Sequence, residues 1–145
     1  MTRYRKGADA ERELIHMLYD LGFSVVRAAG SGATALPAPD LIAMRAGRCI
    51  AFESKAWDAA YLNIPNDQMN ELKGWCSRAG AELVVAWKIP RAGWLFLKAE
   101  DFVDTGRNHA ITRRNAESKA VALSVLAGHQ SRLDLVKPLR RADGK

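Results

Sequence analysis

The chain has 145 residues, 48% of them apolar and 26% charged, which is the size and balance of one globular domain with an ordinary core. Two isolated cysteines, Cys49 and Cys76, are too few for a disulfide framework or a zinc site, and no apolar run reaches the roughly 20 residues of a membrane span. The net charge of +6 lies wholly toward the C-terminus: residues 1–104 carry thirteen basic and thirteen acidic side chains, residues 105–145 nine and three, an excess that points to a polyanion such as nucleic acid.

In chain order, apolar spacing predicts a helix over Gly7–Leu21, with Leu14, Ile15, Leu18 and Leu21 on one face and Gly22 as its stop. Arg12, Glu13 and Asp20 are expected to face away. Phe23–Arg27 reads as a strand, and the glycines and prolines of Ala28–Pro39 as a loop. Asp40–Met44, the turn Arg45–Arg48 and Cys49–Lys55 form a predicted hairpin. Trp57–Pro65 is expected to be loop and Asn66–Ala79 helix, with Met69, Leu72, Trp75 and Cys76 inward.

Glu82–Lys88 is nearly continuously apolar and reads as a strand buried on both faces. Trp94–Lys98 is a further strand, followed by an acidic turn at Glu100–Phe102. Beyond Thr105 the pattern weakens to one expected helix, Asn115–Leu126. Lys137–Lys145 is polar, basic and expected to be disordered. The N-terminus is basic with no apolar signal segment after it, so export is not expected. His16, His109 and His129 share no metal-binding spacing and are expected at the surface. The cysteines read as small buried thiols in a reducing interior. This order of elements predicts an α/β fold, a sandwich with a central mixed sheet flanked by helices. The expected division is one folded domain over residues 1–128 and a flexible basic tail over residues 129–145.

Three acids and a lysine carry the chemical signal. Asp40 opens the first hairpin strand, while Glu53 and Lys55 lie two apart near the end of the second and so share a face. A turn near Gly47 brings Asp40 close to Glu53. Oxygen ligands of this kind, with the Ser54 carbonyl as a further donor, suit Mg²⁺, which activates water and neutralises charge on a phosphate. Glu11 lies within the inward arc of the first helix and needs a partner there. That partner is either the same metal or an ion pair with Lys55 or Arg27.

Taken in order, Arg5-Lys6-Gly7, Glu11-Arg12-Glu13-Leu14, Phe23–Arg27, Gly30-Ser31, Pro39–Ala43 and Glu53-Ser54-Lys55 resemble the archaeal Holliday junction resolvases. These belong to the restriction-endonuclease-like nucleases marked by an Asp followed by Glu-x-Lys. The likeness implies a restriction-endonuclease-like fold and a metal-dependent endonuclease that hydrolyses phosphodiester bonds in two symmetry-related strands of a four-way junction. It implies Glu11, Asp40 and Glu53 as metal-binding catalytic acids and Lys55 as the catalytic lysine. It sets Gln68, like the glutamine that recurs at the start of the next helix in such nucleases, among the DNA-binding residues, with a solvated helix residue as the alternative. Arg5, Lys6 and Arg27 resemble residues that grip the DNA backbone, and Gly30 and Ser31 a mobile loop beside the active site.

The resemblance also implies Mg²⁺ with Mn²⁺ as substitute, branched DNA as partner, a homodimer, and a place in the cytoplasm, with no membrane and no small-molecule cofactor. Trp94, Leu95, Phe96 and the helix after Asn115 are candidates for the dimer contact, with plain core as the alternative for each. The chain departs from the family in a longer loop at Ala33–Ala38 and in the basic tail. Three other readings stand beside this one. They are a same-fold nuclease acting on another branched or sequence-defined DNA, a DNA-binding module with a dead site, and an interaction protein using only its tail.

Overall fold

The computed structural model describes residues 3–28 and 36–128. Gly30 and Ser31 of the expected loop, His129, and the tail 129–145 lie outside the described residues. Helix α1 (Arg3–Asp20) leads into β1 (Ser24–Arg27), β2 (Leu41–Arg45) and β3 (Arg48–Ala56). Then come β4 (Tyr61–Pro65), α2 (Asn66–Ala79), β5 (Glu82–Ile89) and β6 (Gly93–Leu97). A 3-10 turn at Ala99–Asp101, β7 (Val103–Asp104), β8 (Asn108–Thr112), α3 (Arg113–Lys119) and α4 (Leu123–Leu126) complete the described chain.

Five strands make a mixed sheet in the order β1-β2-β3-β5-β6, parallel only between β3 and β5. The parallel pair is what α2 makes possible, because a crossover must return the chain to the same end of the sheet. Alternation sends successive side chains of each strand to opposite faces. Ile50 and Phe52 of β3, Val84 and Ala86 of β5 and Phe96 of β6 meet Leu14 and Leu18 of α1, with Leu123 and Leu126 of α4. Val85, Trp87, Ile89 and Leu97 face the other way, against Met69 of α2 and a second sheet. None of the helices among the described residues is long and apolar enough to cross a membrane.

That second sheet, ordered β4-β8-β7, departs from the expected loop at Trp57–Pro65. Leu62 and Ile64 point inward and Tyr61, Asn63 and Pro65 outward, a period of two too short to stand out beside a proline. Its partner β8 lies more than forty residues away along the chain. The single helix expected over Asn115–Leu126 is also corrected. The Thr112 hydroxyl accepts from the Asn115 N–H and starts α3 early. Val121 then leaves helical geometry to pair with Phe96 on the sheet edge, dividing α3 from α4.

Two surface expectations change as well. His109 is buried. Glu13 turns toward the sheet, where it accepts from Lys88 at 3.0 Å and from the Trp94 indole at 2.8 Å. Phe96 is buried, and the partly buried Trp94 and Leu95 pack against the two cores.

Leu14 anchors α1 with no solvent exposure. Leu14→Ala is expected to cost about 2–5 kcal/mol in urea unfolding. Tyr19→Ala, on the same helix at a site 70% exposed, should change stability by no more than about 0.5 kcal/mol.

Candidate active site

The turn between β2 and β3 sets the geometry. Ala46 and Gly47 both have positive φ, 48° and 83°, the signature of a two-residue turn whose twist matches the strands it joins. Arg45 therefore pairs with Arg48, and the register runs back without a bulge to Leu41 opposite Phe52. One step further places Asp40 opposite Glu53. The Asp40 carboxylate is pinned there, its Oδ2 accepting from the Ser54 N–H at 2.8 Å.

Glu53 follows an apolar strand and is only 5% exposed. Burial, and then the Asp40 carboxylate beside it, push its carboxyl up to about 7, against the opposing pull of the Lys55 ammonium. The Lys55 Nζ stands 3.4 Å from Glu53 Oε2. The same oxygen accepts from the Gln68 amide at 2.7 Å, so the first turn of α2 also aims at this carboxyl. Asp40, Glu53, Lys55 and Gln68 thus meet at one end of the sheet, on the α2 face.

Glu11 arrives from the other face. It accepts from the Arg27 Nε at 3.1 Å, with side chains 21% and 58% exposed, so the ion-pair alternative describes its contact. Among the described residues, no three or more His, Cys, Asp or Glu side chains are gathered as a ready metal cage. Arg27 also lines a cavity of about 460 Å³ with Arg5, Arg12 and Ile15, a basic hollow along α1 that includes one residue, Arg12, not picked out from the sequence. Arg12 is paired with Asp9 at 2.9 Å. Lys6 is exposed nearby on the same helix.

Comparison with known proteins now bears on this arrangement. A family model described as archaeal Holliday junction resolvase (hjc) matches residues 2–134. This chain belongs to that family. It is 34% identical over 106 residues to a crossover junction endodeoxyribonuclease of Archaeoglobus fulgidus, covering 73% of this chain and 78% of the relative. The solved structure of an Archaeoglobus fulgidus Holliday junction resolvase superposes with a TM-score of 0.76 at 30% identity, covering 85% of this chain and 96% of that one. A bacterial homing endonuclease shares the fold alone, with a TM-score of 0.57 at 11% identity over 93% of this chain and 98% of its own.

The restriction-endonuclease-like architecture expected from the sequence is therefore the observed one. As a member of the resolvase family the chain is an endodeoxyribonuclease, with a branched DNA substrate and a divalent metal requirement. The donor chemistry fits such a cation. Two facing carboxylates, one of them forced toward its neutral form by burial and its neighbour, are relieved by positive charge placed between them.

A raised carboxyl in the folded state binds a proton that the unfolded chain releases, so its contribution to stability is present at low pH and lost as pH rises. For Glu53 the window runs from the ordinary 4.5 to about 7. Metal-free protein is expected to lose stability relative to Glu53→Gln across that window, as measured by unfolding at each pH. A saturating divalent cation should flatten the difference.

Proposed function

We propose that the chain cuts four-way DNA junctions in two symmetry-related strands by hydrolysing phosphodiester bonds, with Mg²⁺ as its ion and Mn²⁺ able to replace it. The observation that carries this reading is Asp40 standing opposite a buried Glu53, with Gln68 and Lys55 both aimed at the Glu53 carboxyl. Asp40, Glu53 and the Ser54 carbonyl would hold the ion. A divalent ion held there supplies an activated water and offsets the charge that develops on the phosphate.

The protein's own side chains do the positioning. Gln68 occupies one oxygen of Glu53 and so fixes how the carboxyl turns. Lys55, partly buried at the rim, orients the attacking water or takes part in its deprotonation. Glu11 joins as a third acid by leaving Arg27. That exchange is cheap, because an ion pair this exposed contributes less than about 1 kcal/mol. Arg27, released, can then meet a phosphate together with Arg5 and Lys6, with Gly30 and Ser31 as further DNA-binding residues by the family likeness.

A homodimer suits this substrate, since a two-fold protein on a two-fold junction places two such sites on related strands. Residues 1–128 would form the nuclease domain. Residues 129–145, with five basic and two acidic side chains, would act as an arm adding backbone contacts. The place of action would be the cytoplasm.

The test is cleavage of a synthetic four-way junction beside flap and linear duplexes. Junction cutting in Mg²⁺ should exceed the others and stop with EDTA while binding persists. Asp40→Asn and Glu53→Gln should each lower the rate by about 10²–10³-fold or more with junction affinity retained. Equal cutting of linear duplex would remove the junction reading, and normal rates in both variants would remove the site.

A further inference from the structure

Two polar or charged residues are buried among the described residues, Glu53 and His109, the latter 9% exposed. The first belongs to the active site, and the start of α2 connects it to the second. His109 comes from β8, opposite Ile64 of β4. Its Nδ1 lies 2.6 Å from Oδ1 of Asn66, the first residue of α2. Two residues further along the helix, Gln68 donates to Glu53.

Each side-chain polar atom of Asn66 is engaged. Its Nδ2 donates to Asp104 Oδ1 and to the Gly106 carbonyl, both at 3.1 Å. Its backbone N–H donates to the Arg107 carbonyl at 2.9 Å. This set of acceptors fixes the amide's orientation, because a flip would set Oδ1 against a carboxylate and a carbonyl. The Nδ1 of His109 is therefore the donor to Oδ1. Asp104 stays ionised in this turn, held below the usual carboxylate range by the Gly106 N–H and then by Asn66.

The helix needs such a grip. Pro65 precedes it and offers no side-chain cap, so the N–H groups of the first turn lack the partner that Ser or Asp would give. An uncapped first turn frays readily, and Gln68 sits in it.

We propose that Asn66, clasped by His109 and the Asp104–Asn108 turn, is a positioning residue for catalysis, holding the first turn of α2 where Gln68 can bond Glu53. This rests on the reading of Glu53 as an active-site acid. Neither Asn66 nor His109 touches the reacting atoms; both act through Gln68. The small three-stranded sheet is then a working part of the active site.

The test uses the full chain and compares Asn66→Ala, His109→Ala, His109→Asn and Gln68→Ala, with amide exchange and junction cleavage as readouts. Asn66→Ala and His109→Ala should speed exchange over residues 66–71 selectively. They should lower kcat about ten- to hundredfold, with KM for the junction within about twofold. His109→Asn, whose amide N–H can stand in for Nδ1, should recover to within about threefold of the parent. In a Gln68→Ala background, Asn66→Ala should add less than about twofold, because both changes remove the same aim.

Unchanged kcat in Asn66→Ala, equal losses in both backgrounds, or faster exchange spread over the whole protein would each overturn the clasp. Should Asn66→Ala fail to fold, the contrast of His109→Ala with His109→Asn decides by the same criteria. Exchange needs no cleavage, so a parent protein that cut no junction would fail the functional reading and still leave the clasp decided.

Discussion

A two-residue turn with two positive φ angles allows no slack between the strands it joins. At Ala46-Gly47 it commits β2 and β3 to one register, and that register sets two carboxylates, Asp40 and Glu53, directly across from each other. Shifting β3 by one residue would send Glu53 into the α1 core, and shifting β2 by one would turn Asp40 away from Glu53. The site is thus a consequence of backbone pairing before it is one of side-chain chemistry. The Ser54 N–H bonded to Asp40 ties the two strands once more at the point where the hairpin ladder ends.

Placing acids this way has a cost. A buried carboxyl beside a like charge is forced upward, and the surrounding residues manage the strain without removing it. Lys55 supplies positive charge, Gln68 a single amide donor, and α2 the rigid base from which that donor reaches. The site is a pair of facing carboxylates whose repulsion a divalent cation would relieve. On the other face of the sheet, the exposed pair of Glu11 with Arg27 contributes little to stability and could be exchanged at small cost.

Much of this was legible in the sequence, and the reasons differ by residue. The Asp40 strand, the Gly47 turn and the apolar run ending at Glu53 are local patterns, so the hairpin and its acids followed from short-range rules. The resemblance to the resolvases pointed to Gln68, which local pattern alone left as a helix residue. The second sheet was hidden because β4 and β8 are short, half-buried and far apart in the chain, with neither carrying a signal without its partner. His109 was read as a surface residue for the same reason. Its partner Asn66 comes within reach only once the β7–β8 turn meets the start of α2. Glu13 was misplaced because helical phase alone does not register a lysine and a tryptophan reaching over from β5 and β6.

The most direct measurement is the position of a manganese ion in crystals of the protein, located by anomalous scattering at the manganese edge. The expected result is a peak between the Asp40 and Glu53 carboxyl groups, within bonding distance of both. A peak bound elsewhere, with those two carboxyls left bridged only by protein donors, would contradict the assignment.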